Sequence, residues 1–256
     1  MRIWFFSFFM LLCKVGFTQS IPLVQSSDPQ CIISFIFDDL NASDSVVKQI
    51  FDEYGFQPSF ALTTNKLNHQ NVRLYKTFSD EGISILAHSH SHPKMNVYDE
   101  TLKDSIRKEI EISKRIITDF GIPVFGFVTP SSQMDQQYLP LLDSIYDYAF
   151  TNNNNAVFDR SVEKHHLARY GIEANISKED HSLSTIIERI DLAIEKKELL
   201  VLYGHTLPSR YLDDQGSPRV NASDLQALLG YIQQKAASRQ CRVLTADKAI
   251  AFYYRP

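Results

Sequence analysis

Three short segments hold residue types that could do chemistry together. Phe37-Asp38-Asp39 ends an apolar run in two adjacent carboxylates. Such a pair is costly unless it meets a cation or shares a proton. His88-Ser89-His90-Ser91-His92-Pro93 places three of the chain's 8 histidines close together. Leu202-Tyr203-Gly204-His205 ends another apolar run in a histidine. Neutral imidazole is a common metal ligand, and two imidazoles with one carboxylate leave positions open for water and substrate. Neighbouring side chains in an extended segment point apart. One aspartate of the pair can therefore ligate a metal while the other faces a substrate. Each segment also has an ordinary reading: an Asp turn, a polar loop, a structural histidine. Three histidines at a strand end beside Asp-Asp outweigh it for the first two segments. His205 gains weight only from its place at the same expected face.

The elements that must position these residues alternate along the chain. Cys31 to Phe37 is a near-continuous apolar run, as in a strand buried on both faces. A helix from Ser43 or Asp44 to Tyr54 follows, stopped by Gly55. Ser59–Leu62 and Ile83–Ala87 read as strands around a helix from Leu74 to Glu81. The clearest helix runs from Asp99 to Phe120, with Leu102, Ile106, Ile110, Ile117 and Phe120 on one side. Further strands are expected at Val124–Val128, Tyr148–Thr151, Leu167–Tyr170, Leu199–Tyr203 and Arg242–Leu244. Helices are expected at Gln136–Ile145, Leu183–Lys197, Asp224–Ala237 and from Ala246. Seven or eight βα units in one chain indicate a parallel sheet, either a barrel or a doubly wound sheet. In barrels the chemistry sits at the C-terminal ends of the strands, where all three segments fall.

Composition narrows the class. The chain has 256 residues, 44% hydrophobic and 22% charged, values of an ordinary globular domain. A net charge of −4 leaves no electrostatic footprint for nucleic acid. No GxGxxG or P-loop lysine appears, so nothing supports a nucleotide site. Met1-Arg2, the apolar run from Ile3 to Cys13 and the exit around Thr18-Gln19 form a secretory signal pattern over 1–19. The run is short for a membrane span, so no stable span is expected in a mature chain of residues 20–256. Export to a periplasm, a cell surface or the medium is the expectation. Loss of Arg2 and Lys14 with the leader would take the charge from −4 to −6. Cys31 and Cys241 would then be the remaining cysteines, and an oxidising compartment allows a disulfide between the first and last strands.

Together the three segments resemble the polysaccharide deacetylase family, the NodB homology domain, from about Ile32 to the C-terminus. Its strand ending in Phe-Asp-Asp is matched by Phe37-Asp38-Asp39, its His-Ser/Thr-x-x-His by His88-Ser89-His90-Ser91-His92, and its late apolar strand ending in His by Leu202-Tyr203-Gly204-His205. The resemblance implies a distorted, incomplete (β/α) barrel of about seven parallel strands. It implies a divalent metal, Zn²⁺ first, on Asp39, His88 and His92, with Asp38 as catalytic base and His205 as catalytic acid. The implied substrate is an acetylated polysaccharide or oligosaccharide carrying N-acetyl or O-acetyl groups. His90 falls at a variable position and is left out of the ligand set. Two departures stand out. The family's third motif carries an Arg that pairs with the catalytic Asp, and Val128 stands in its place here. The family often lines its acetyl pocket with Trp, and the sole Trp, Trp4, lies within the leader. Arg169, at another strand end, is a candidate for the missing cation.

Two other readings compete. A metal hydrolase of the amidohydrolase kind would place His-x-His on the first strand, where Phe-Asp-Asp stands instead. A catalytically impaired, glycan-binding barrel would follow if the lost arginine had no substitute.

Overall fold

The computed structural model describes residues 30–152, 161–173, 182–207 and 220–254. The leader-like segment 1–19 lies outside the described residues. The chain alternates strands and helices: β1 (Cys31–Asp38), α1 (Asp44–Glu53), β2 (Ser59–Leu62), α2 (Val72–Asp80), β3 (Ile85–Ala87), α3 (Lys103–Asp119), β4 (Gly126–Val128), α4 (Pro140–Asp143), β5 (Tyr148–Asn152), β6 (Leu167–Ala168), β7 (Tyr170–Gly171), α5 (Leu183–Lys196), β8 (Leu199–Gly204), α6 (Ala222–Ala237), β9 (Cys241–Val243) and α7 (Ala246–Tyr253). Eight strands follow the order β6-β5-β4-β3-β2-β1-β8-β7, and β9 joins β1 off this path. Every strand pairing is parallel. The result is a nearly closed (β/α) barrel with one unsealed seam.

The seam lies between β6 and β7, which are separated in sequence by Arg169 alone. β6 pairs with β5, whereas β7 pairs with β8. A single expected strand at Leu167–Tyr170 therefore becomes two, bent at Arg169 so that it leaves one neighbour for the other. This takes the eight strands expected along the chain to nine, above the seven or so that the resemblance implies.

Alternation along β1 divides the core into two layers. Ile33, Phe35 and Phe37 pack outward with Val47 and Phe51 of α1 and with Tyr75 and Phe78 of α2. Ile32 and Ile36 pack inward with Ala61, Leu86, Val128, Phe150 and Val201, together with Ala249, Ile250 and Tyr253 of α7. Both faces are thus covered, which is why the strands read as apolar runs rather than alternating ones. The register puts Asp38 on the inward set, at the C-terminal mouth of the barrel.

Several boundaries differ from the sequence expectation for local reasons. The helix expected from Asp99 begins only at Lys103, after a 3-10 turn over Glu100–Leu102, so Leu102 is exposed instead of buried. The helix expected over Gln136–Ile145 breaks into a 3-10 turn and the short α4, because Pro140 can only start a helix there. Cys31 and Cys241 are register partners in β1 and β9 and both are buried, yet they stay free thiols. Burial pushes both thiols up, Cys241 to about 11, which leaves them protonated and inert.

Candidate active site

The five residues singled out for chemistry meet at the C-terminal mouth. Asp38 closes β1, and Asp39 follows it in a left-handed turn, with φ 81° at Asp39 and 63° at Leu40. Non-glycine residues pay of order 1–2 kcal/mol for this conformation. Asn41 secures the turn: its Nδ2 donates to the Asp38 carbonyl at 2.7 Å and to the His205 carbonyl at 3.4 Å. The Asn41 backbone N–H donates to Asp44, which also accepts from the Tyr75 hydroxyl at 2.6 Å. Two more left-handed residues, Ser89 and His92, shape the loop after β3. Strain of this kind collects where surrounding contacts over-determine the backbone, often at functional sites.

The strained turns bring three donors together. Asp39, His88 and His92 each offer an atom, all within 4.8 Å of one another. Asp39 Oδ1 lies 3.4 Å from His88 Nε2 and 3.5 Å from His92 Nε2. These separations are long for hydrogen bonds. They match the edge of a tetrahedron, about 3.4 Å for ligand bonds near 2.1 Å. Asp39 Oδ1 and His88 Nε2 are buried and have no hydrogen-bond partner, a costly state that a cation would relieve. His88 Nδ1 donates to the Val128 carbonyl at 2.8 Å, which leaves the Nε2 lone pair facing the other two donors. Although burial opposes it, the close approach and charge of His88, with His205 and His92, hold the Asp39 carboxyl well below the usual range. Burial and the neighbouring His88 push His92 down, toward the neutral form that ligates. The residues present fit a divalent ion. His90 turns away from the cluster, its Nδ1 sharing a hydrogen bond with Thr64 Oγ1.

Across the mouth stand two buried ion pairs. Arg169, at the barrel seam, donates from Nη1 to Asp38 Oδ1 at 2.8 Å, with both side chains at most 2% exposed. Its guanidinium lies over the Tyr203 ring, 4.4 Å from the centroid. Val128 meanwhile packs in the inner core layer. The cation beside Asp38 thus comes from a different strand than the family motif would give. Glu173, fully buried just after β7, accepts from His205 Nδ1 at 2.9 Å and from the His205 backbone N–H. Burial alone would lower the His205 pKa, but the bond to Glu173 and the charges of Asp38, Glu173 and Asp39 outweigh it and raise it to about 9. His205 Nε2 points toward Asp39 Oδ2, 4.0 Å away. Gly204 permits this placement, because a Cβ there would sit 2.5 Å from Val220 Cγ2. Glu173 was not singled out in the sequence. Its only signal was a charged residue shortly after a short apolar strand, in a stretch already marked by Arg169.

Residues 25–145 match the polysaccharide deacetylase family. That match, together with the fold, supports a divergent NodB-type polysaccharide deacetylase domain. Among curated proteins, none matches it by sequence. Solved structures of carbohydrate esterase family 4 share its fold. A family 4 acetyl xylan esterase from Clostridium thermocellum, in complex with a cobalt ion, is 15% identical with a TM-score of 0.55, over 88% of this chain and 93% of that one. The catalytic domain of a peptidoglycan N-acetylglucosamine deacetylase from Eubacterium rectale is 14% identical with a TM-score of 0.53, over 86% of this chain and 90% of that one. A family 4 pseudoenzyme from Bacillus anthracis is 14% identical with a TM-score of 0.56, over 87% of this chain and 66% of that one. No helix among the described residues is long and apolar enough to cross a membrane.

Proposed function

We propose that this deacetylase domain hydrolyses acetyl groups from an acetylated polysaccharide or oligosaccharide, with a divalent ion, Zn²⁺ in the first instance, held by Asp39, His88 and His92. The observation that carries the proposal is the convergence of two orphaned buried donor atoms, on Asp39 and His88, beside the Asp38–Arg169 and His205–Glu173 pairs. When bound, the ion would supply Lewis-acid chemistry, lowering the pKa of a water and polarising the acetyl carbonyl. The cobalt held by the Clostridium thermocellum neighbour is in keeping with such a site.

The chain's own groups divide the proton work. Arg169 occupies Asp38 Oδ1, so Oδ2 is left to take the proton of the attacking water as general base. His205 commits Nδ1 to Glu173, so Nε2 is left to protonate the departing amine or alcohol. With its pKa raised to about 9, His205 carries that proton at neutral pH. Arg169 puts a cation beside Asp38 where Val128 cannot, which weighs against an impaired, glycan-binding barrel. The leader pattern over 1–19 fits this reading, since an exported protein meets cell-envelope and extracellular glycans.

Acetate release from acetylated xylan, chitooligosaccharides and peptidoglycan, with and without a chelator, tests the proposal. Release that stops on chelation and returns with Zn²⁺ is the expected result. A protein that binds metal but releases acetate from none of them would instead be a binding barrel.

A further inference from the structure

The loop that carries His88 and His92 is fastened from outside the family motif by a carboxylate on α3. Glu109 Oε2 accepts from the backbone N–H of His90 at 2.9 Å and of Ser91 at 2.7 Å, while its Oε1 accepts from Ser91 Oγ at 2.6 Å. All three donors lie between the two histidines. The other ties on the loop are different in kind. Ser89 Oγ accepts from the His92 N–H within the loop, and the Thr64 and Asn65 N–H groups donate to the Ser89 and His90 carbonyls. Glu109 is the loop's one charged anchor among the described residues. It is half-buried, and Ile106 and Ile110 beside it on α3 are buried in the core, so its reach toward the loop is fixed by packing.

His92 depends on this anchor more than His88 does. The His88 ring is fully buried and its Nδ1 is bonded to Val128. The His92 side chain is 35% exposed, and among the described residues no other residue is shown hydrogen-bonding its ring, apart from the long approach to Asp39. Its backbone sits at φ 62°, an unfavourable conformation for a non-glycine residue. The His92 ring is therefore aimed by the path of the loop. A carboxylate that accepts two consecutive backbone N–H groups and a hydroxyl, each bond charge-assisted, is well suited to set that path.

We propose that Glu109 is a positioning residue for metal binding, one that aims His92 at Asp39 and His88 and so sets the affinity of the site for a divalent ion. This rests on the reading of Asp39, His88 and His92 as a metal site. Outer partners that orient ligating residues typically change metal affinity by about 10–100-fold when removed.

The test is a Co²⁺ titration of the chelator-treated protein followed by visible absorption, repeated with Zn²⁺ by calorimetry, alongside thermal unfolding of the metal-free form. Glu109→Gln keeps the reach but loses the charge and one acceptor, and its Kd should rise at least tenfold. Glu109→Ala should weaken binding further and should broaden or shift the Co²⁺ spectrum as His92 drifts. Ser91→Ala removes one bond with little threat to the fold and should weaken binding by about 2–10-fold, the worth of one hydrogen bond. A role confined to stability would instead lower the metal-free Tm and leave Kd unchanged. Wild-type binding of one ion with Kd unchanged within twofold in Glu109→Gln and Ser91→Ala overturns this proposal alone. A wild type that binds neither ion overturns the metal reading, and this proposal with it.

Discussion

The two sides of the mouth are built in different ways. The metal side, Asp39 with His88 and His92, comes from two compact segments at the ends of β1 and β3, shaped by strained turns and fastened by the Glu109 carboxylate of α3. The proton side, Asp38 with Arg169 and His205 with Glu173, is assembled from ion pairs spanning 131 and 32 residues of sequence. Arg169 stands at the seam where β6 leaves β5 and β7 joins β8, so the least regular part of the sheet supplies the base's partner. The barrel frame tolerates a change in which strand provides a cation, provided the charge arrives at the same carboxylate. The metal side has no such freedom, because its three donor atoms must sit at one set of mutual distances.

The proton side is the easier to break. Asp38→Asn should lower acetate release by about 10²–10⁴-fold, the usual worth of a general base, with metal content unchanged. Full activity in that variant would dismiss the base assignment. Arg169→Met should act almost as strongly, and through stability as well. It strands a buried carboxylate, a loss that costs roughly 3–5 kcal/mol when one partner of a buried pair is removed. Chemical denaturation of Arg169→Met beside Asp38→Asn separates the two effects. A double variant less destabilised than Arg169→Met alone would show that the stranded charge is the cause. Equal stability of Arg169→Met and wild type would mean that the pair matters little.

Glu173→Gln should cost less, about 10–100-fold, because it leaves the catalytic groups in place and removes an outer partner. Its sharper signature is in pH. The bond to Glu173 and the surrounding negative charge raise His205 to about 9. Without that anion the folded pKa falls, and the alkaline limb of the pH–rate profile should move to lower pH. An unmoved alkaline limb would remove His205 from the acid role or Glu173 from its support.

The same contrast explains what the sequence made legible. The apolar runs and helical periodicity disclosed nearly every element, because burial on both sheet faces imposes a simple pattern. Phe37-Asp38-Asp39 and His88 to His92 could be read because their donors lie within a few residues of one another. Arg169 was visible only as a charge at a strand end, and Glu173 only as a charge just beyond it, since nothing local distinguishes a buried ion pair closed across the barrel from two surface charges. The break at Arg169 was equally hidden. A strand that changes neighbours after two residues has the same composition as one that does not. Leu102 was misplaced because helical spacing continues through a 3-10 turn whose side chains face elsewhere.

The smallest effect expected on turnover, under tenfold, lies beneath the metal side at Asp44. This residue is fully buried, accepts from Tyr75 and from the Asn41 N–H, and leaves Oδ1 without a partner. Burial raises its pKa to about 7, against the opposing pull of those two hydrogen bonds. A carboxyl raised in the folded state contributes stability that is complete below the unfolded pKa near 3.9 and is lost as pH climbs through about 7. The full swing is at most on the order of 4 kcal/mol. His205, also raised, loses its contribution over a higher window, from about 6.5 to about 9. Asp39, held low, acts only in acid. Between pH 4 and 6.5 Asp44 dominates among these three groups, while His92, pushed down, works there in the opposite sense. In the chelator-treated protein, wild-type stability should fall across that range, whereas Asp44→Asn, which cannot ionise, should lose most of the slope there and keep it above pH 7. Parallel wild-type and Asp44→Asn profiles from pH 4 to 6.5 would show that Asp44 is ionised throughout and that the turn bearing Asp39 rests on a buried charge after all.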